Sequence, residues 1–166
     1  MLDCTGASTS CSGGYFNSAF DYLKSNYAMT AEDYPYNSLV PERGECAYDE
    51  EKATTAIVEE FTYAKSGDID MIKTALSHQP VTAALNASPR SFMQYISGVY
   101  DDETCDETLD HAVLLVGYGS EEGEDYWIVK NSWGSTWGDK GYIRIAQKPG
   151  SGICGIQASA VWPVLK

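Results

Sequence analysis

The chain is short of basic residues: 11 lysines and arginines stand against 24 aspartates and glutamates, a net charge of -13 at neutral pH. That deficit removes the electrostatic attachment on which binding to phosphate backbones and anionic headgroups rests, so neither nucleic acid nor membrane is expected as a partner. No apolar run approaches the ~18 residues of a membrane span, and Met1-Leu2-Asp3-Cys4 lacks the basic and apolar regions of a secretory leader. Only two histidines occur, His78 and His111, far apart and without an H-E-x-x-H run, so neither a catalytic metal nor another cofactor is expected. The glycines around Tyr118 do not open a helix, which argues against a phosphate-binding loop. The five cysteines form no C-x-x-C pair, and disulfides explain them better than a metal or redox motif. No internal repeat or low-complexity linker is present.

What remains is a globular length. At 166 residues, the chain can bury roughly two thirds of its unfolded surface, enough for one domain or two small lobes. The acidic excess favours solubility, and it suits an acidic compartment, where partial carboxylate protonation relieves self-repulsion.

Residues 1–14 are small, polar and glycine-rich and read as loop. Residues 15–27 then place Tyr15, Ala19, Phe20, Leu23 and Tyr27 at helical spacing, which predicts a packed helix with an aromatic core stripe. Residues 41–52 are charged and loop-like, and residues 56–63 read as a strand, with a lobe boundary near Phe61. Residues 68–77 predict a capped helix burying Ile69, Ile72, Ala75 and Leu76, with His78 beyond its end. A strand over 79–87, a short helix over 90–95 and a strand over 141–146 follow. Asn86-Ala87-Ser88 has the form of a glycosylation acceptor, but the Pro89 that follows argues against its use.

The most informative stretch is 109–138. His111 opens the apolar run Ala112-Val113-Leu114-Leu115-Val116, too continuous for a half-exposed strand, and so it reads as a buried one. An acidic turn over 120–125 separates it from Tyr126-Trp127-Ile128-Val129, a second β-rich run that leads to Asn131. A hairpin would bring His111 and Asn131 together. An imidazole held by an amide oxygen has one nitrogen fixed as donor and the other free to take a proton, which is the base and orienter of a nucleophilic hydrolase.

Asp110-His111-Ala112 with Val-Gly-Tyr-Gly, then Trp127-x-x-Lys130-Asn131-Ser132-Trp133-Gly134 and Trp137-Gly138, closely resembles the His and Asn region of papain-like cysteine peptidases of the cathepsin L type. The resemblance implies an α+β papain-like fold: a truncated helical lobe, residues 1–61, packed on an antiparallel β-barrel-like lobe, residues 62–166. It implies catalytic roles for His111 and Asn131, shielding of their hydrogen bond by Trp133 and Trp137, and disulfides Cys4–Cys46 and Cys105–Cys154, with Cys11 left over. Gly13 and Gly14 match cleft glycines, where a substrate backbone approaches exposed peptide groups. Ala84, Asp110, Ala112 and Ser159 match positions around the pocket for the second residue before the scissile bond, and the small Ala84 and Ala112 leave room for a bulky apolar side chain. Implied partners are peptide or protein substrates and proteinaceous inhibitors, in a lysosomal or secreted setting.

The family's nucleophile lies in a C-G-[SA]-C-W run about 130 to 150 residues before the histidine, which falls roughly 20 to 40 residues before Met1. Its oxyanion glutamine and the usual partner of Cys11 fall outside this sequence too. Three readings follow. The chain is a processed, split or truncated cathepsin L-like endopeptidase; or a miniature hydrolase with a substitute nucleophile, Cys11 ahead of Ser10 and Ser12; or a non-catalytic homologue that binds peptides or inhibitors. Apolar faces left without their central helix predict a homo-oligomer, a rearranged N-terminal lobe or a separate N-terminal chain.

Overall fold

A computed structural model of the chain describes residues 2–5, 13–36 and 44–166. The chain forms two compact units, Met1–Thr62 with Pro163–Lys166, and Tyr63–Trp162.

The first unit contains one α-helix among the described residues, α1 (Phe16–Ser25), and a single 3-10 turn at Glu50–Lys52. Phe20 is the buried residue of α1, and its ring lies 5.8 Å from that of Phe61. Lys24, in the last helical turn where a cation complements the helix dipole, bonds Glu60 at 2.7 Å and lies 4.6 Å above the Phe61 ring. The aromatic stripe expected of this helix is therefore only partly a core stripe. Tyr15 precedes the helix and is 80% exposed, because its extended backbone turns it off the helical face that carries Phe20. The Cys4–Cys46 disulfide closes a separation of 42 residues in this unit, a constraint worth about 4 kcal/mol in the chain-entropy picture.

After strand β1 (Val58–Tyr63) the chain continues as α2 (Ile69–Leu76), β2 (Val81–Leu85), α3 (Arg90–Met93), β3 (Val99–Tyr100), β4 (His111–Glu121), β5 (Glu124–Lys130) and β6 (Tyr142–Ala146) of the second unit, and then β7 (Ala160–Leu165), whose residues from Pro163 on belong to the first. Asp68 caps α2 by accepting from Met71 N–H at 2.9 Å, and Ile72 and Ala75 bury the inner face. The strand order is β1-β7-β2-β4-β5-β6-β3. This seven-stranded sheet is not closed into a barrel: β1 and β3 end it, and β3 runs parallel to β6 rather than antiparallel. Trp127, Phe92, Ile72, Leu85, Leu115, Ile143 and Ile145 are fully buried in its core. Cys105–Cys154 clamps the loop before β4 to the short 3-10 turn Ile153–Gly155.

Two expectations about the central stretch are corrected. The run after His111 is not buried throughout: Val113 and Leu115 are inside, whereas Ala112 is exposed and Val116 is 37% exposed. One face of β4 meets the core and the other does not, so the side-chain alternation of a strand outranks the apolar character of the run. The turn is also shorter than 120–125. Strand pairing continues to Glu121↔Glu124, and only Glu122 and Gly123 turn the chain, with φ 53° and 86°. Both values are positive, as a two-residue type I′ hairpin requires.

Asn86 is 5% exposed and its amide nitrogen already donates to Asp106 Oδ1 at 2.7 Å. The sequon is thus occupied internally, and the intact chain expressed in a glycosylating host is expected to show the unmodified mass at this site.

Hydrogen bonds hold several carboxylates below their usual range. For Asp102 the Ser91 hydroxyl is the main cause, followed by the hydroxyl and backbone N–H of Thr104. For Asp125 it is Ser120, then Lys73, and for Asp106 it is Thr108. A carboxylate with a depressed folded-state pKa contributes stability above the unfolded value near pH 4, and that contribution disappears as pH falls through the folded value. Ser91→Ala is therefore expected to lower the melting temperature at pH 7, and the gap from the wild type should close below about pH 4.

Candidate active site

The register of the β4–β5 hairpin decides where its two polar ends lie. Leu114 pairs with Lys130, so His111 at the start of β4 and Asn131 just after β5 come out at the same end of the sheet. His111 Nε2 lies 2.8 Å from Asn131 Oδ1. Asn131 is 7% exposed, and its backbone N–H is tied to Gly141 O at 2.9 Å.

A third group fixes the chemistry of this contact. The Ser132 backbone N–H lies 2.8 Å from the same Asn131 Oδ1. A peptide N–H can only donate, so the atom it meets is the acceptor end of the amide. His111 Nε2 must then be the donor. The neutral ring carries its proton on Nε2, and Nδ1 holds the lone pair that can take a proton. Asn131 Nδ2 is the one buried side-chain polar atom without a hydrogen-bond partner among the described residues. An unmet buried donor costs about 1–3 kcal/mol, and such groups gather at functional sites.

Trp133 packs against the histidine. Its ring lies 5.0 Å from the His111 ring and is 38% exposed. Edge contacts to Phe92 at 5.7 Å and Trp137 at 5.3 Å hold it there, and Trp137 Nε1 is anchored on Met93 O at 3.0 Å. The loop carrying both tryptophans returns through Gly138, where φ is 56° and a Cβ would stand 2.5 Å from Tyr142 O, a position open only to glycine.

Behind the histidine, Leu85 pairs with His111 and Ala84 with Ala112, and Ala84 N–H donates to Ser159 O at 3.2 Å. Ala84 of β2, Ala112 of β4 and Ser159, just before β7, are thereby neighbours beside His111. Asp110 ties the approach to β4 onto the end of β2: its carboxylate accepts from Ala87 N–H at 2.8 Å and from the Ser88 hydroxyl. Gly13, with φ 116°, and Gly14 are exposed residues of the first unit with open space where a Cβ would point. Cys11, Ser10 and Ser12 lie outside the described residues. No group of three or more His, Cys, Asp or Glu among the described residues is arranged to hold a metal ion. The Ser132 N–H and the Ser88 hydroxyl were missed from the sequence, since a serine beside a motif carries no signal of which backbone or hydroxyl bond it makes.

The family profile for papain family cysteine proteases matches residues 1–164. The chain belongs to the papain family. Among its relatives in this family, a cathepsin L-like peptidase of Aedes aegypti is 42% identical over 171 residues, covering 99% of this chain and 49% of the relative. Cysteine protease XCP2 of Arabidopsis thaliana is 41% identical, with coverage of 98% and 46%. The chain spans half or less of the length of these curated relatives. The bromelain protease of Ananas comosus, solved with the E64 inhibitor, matches this papain-family chain with a TM-score of 0.87 and 36% identity, over 99% of this chain and 75% of bromelain. The fold is accordingly papain-like, with mixed helix and sheet.

The orientation of the amide yields a direct expectation for this papain-family site. Nitrogen-resolved NMR of the neutral imidazole should report His111 protonated on Nε2. Asn131→Ala should convert it to a mixture of tautomers, and Trp133→Ala should speed exchange of the Nε2 proton with water.

Proposed function

We propose that this chain carries the histidine and asparagine of a cathepsin L-type cysteine endopeptidase, and that the nucleophilic thiol comes from a segment outside these residues. The reading is carried by the hydrogen bond from His111 Nε2–H to Asn131 Oδ1, locked by Ser132 N–H. With Nε2 committed, Nδ1 of His111 accepts the thiol proton, and the resulting thiolate–imidazolium pair is the reactive form. The thiolate attacks the peptide carbonyl carbon. His111 then returns the proton to the departing amine, and water, deprotonated by Nδ1, cleaves the thioester to release the acid and restore the thiol. Asn131 keeps the ring oriented through both steps, and Trp133 keeps water from the bond that orients it.

Substrates on this reading are peptides and proteins. The surface made by Ala84, Ala112 and Ser159 accepts a bulky apolar side chain at the second position before the scissile bond, since none of the three projects beyond Cβ or a hydroxyl. Gly13 and Gly14, exposed and without side chains, let a substrate backbone come close. The same surfaces suit proteinaceous inhibitors. Two disulfides and the acidic balance suit an oxidising, acidic setting, lysosomal, vacuolar or secreted. Before the thiol-bearing segment joins, association with a second copy or a separate N-terminal chain covers apolar surface of the first unit.

The test compares the chain with a longer product of the same gene bearing a C-G-S-C-W run upstream. The longer product should hydrolyse a fluorogenic dipeptide amide with Phe at that second position, and a thiol-directed epoxide should label the cysteine of the run. The chain alone should be slower by at least ~100-fold, the usual loss when oxyanion donors are missing. Epoxide labelling of the chain alone at Cys11 would transfer the nucleophile's role to that residue. Peptide binding without hydrolysis or labelling in either product would identify a non-catalytic homologue. Hydrolysis unchanged by His111→Ala would end the proposal.

A further inference from the structure

His111 stands at the end of the sheet's hold on its own strand. The β2–β4 register finishes at the pair Leu85↔His111, and on the other side the β4–β5 register starts only at Leu114↔Lys130. Strand ends open more readily than strand centres, because fewer bonds must break. The ladder by itself therefore holds the histidine weakly, although its ring has to stay within 2.8 Å of Asn131 Oδ1.

Bonds beyond the ladder make up the deficit. Asp110 N–H donates to Leu85 O at 3.1 Å, and the Asp110 carboxylate accepts from Ala87 N–H through Oδ1 and from the Ser88 hydroxyl through Oδ2. The two carboxylate bonds require residues 86–88 to curl back toward β4. Asn86 sets that curl. It is buried, and its Oδ1 accepts from Ser88 N–H at 3.0 Å, the side-chain turn that asparagine makes with a residue two positions on. Its backbone N–H donates to Cys154 O at 2.9 Å and its Nδ2 to Asp106 Oδ1 at 2.7 Å. Cys154 and Asp106 are themselves joined through the Cys105–Cys154 disulfide, so Asn86 ties the end of β2 to the loop that delivers β4. Hydrogen bonds sharing one buried hub stiffen one another.

We propose that Asn86 and Ser88 are positioning residues for His111: by gripping the Asp110 carboxylate they hold the start of β4, and with it the imidazole, in register with Asn131. The asparagine that has the form of a glycosylation acceptor is thus turned inward to serve the histidine. Ser88 is the separable half of the device, since it is exposed and only its hydroxyl is needed to reach Asp110. The consequence for catalysis rests on the reading of His111 as the base of a peptidase. The consequence for the His111–Asn131 bond does not, because that bond exists within the chain itself.

The test follows the His111 Nε2 proton by nitrogen-resolved NMR of the full chain at pH 7. Ser88→Ala should speed its exchange with water about fivefold, the factor that one lost hydrogen bond supplies, while the melting temperature falls by no more than about 4 °C. Ser88→Thr, which keeps the hydroxyl, should restore the wild-type rate. Asn86→Asp keeps an acceptor for Ser88 N–H but sets a carboxylate against Asp106, and it should speed exchange at least as much. Ser151→Ala removes the hydroxyl that bonds Glu107 on the same loop, and exchange should stay at the wild-type rate. In the longer product, Ser88→Ala should lower kcat about fivefold with KM unchanged. Wild-type exchange in Ser88→Ala, no recovery in Ser88→Thr, or equal acceleration in Ser151→Ala would each overturn the proposal. A longer product that hydrolyses nothing while the NMR results hold would sink the protease reading and leave the positioning role standing.

Discussion

A single amide orientation organises the chemistry of this chain. Asn131 Oδ1 receives two N–H groups, one from the backbone of its own neighbour and one from the imidazole. The first is covalently obliged to be there, since Ser132 follows Asn131 in sequence, so the second inherits a fixed direction. The tautomer of His111 is in this sense written into the backbone after β5. The Trp133 ring packs against the imidazole, and the loop that carries it returns through a position open only to glycine.

The two units differ in how they are held. The second has a contiguous apolar core from Ala64 to Ala160, with α2 laid against the sheet. The first has Phe20 and Val58 as its buried apolar residues among those described, and depends more on its disulfide and on the Tyr34–Asp3 bonds. A sparse core can expose aromatic surface that a dense one would absorb. The histidine site, by contrast, rests on the sheet of the second unit, whose core is dense.

Much of this was legible from the letters, for identifiable reasons. His111 and Asn131 could be paired because two β-rich runs flanked an acidic turn, and the helix capped by Asp68 was announced by its cap and its Ile72–Ala75 spacing. The family followed from the motifs around these two residues, and its disulfides with it. What the letters did not disclose was one-sided burial and local geometry. Ala112 and Val116 belong to an apolar run yet face outward, because a strand shows alternate residues to opposite sides whatever their polarity. Tyr15 fits a helical stripe but precedes the helix. Glu122-Gly123 was submerged in a longer acidic stretch, since only the positive φ values distinguish a two-residue turn from a floppy one. The open sheet edge at β3 depends on a parallel pairing that no local pattern encodes.

The tightness of that Glu122-Gly123 turn has a bearing on how the molecule is assembled. Residues 111 and 131 are brought together by a hairpin, among the quickest structures a chain can form, on the order of microseconds. Juxtaposing β2 with β7 instead requires segments some eighty residues apart to find one another, as in Thr82↔Val161, and long-range pairing of that kind is slow. The imidazole and its amide thus belong to the fast-forming part of the chain, so their contact can arise early in folding, before β2 and β7 have paired.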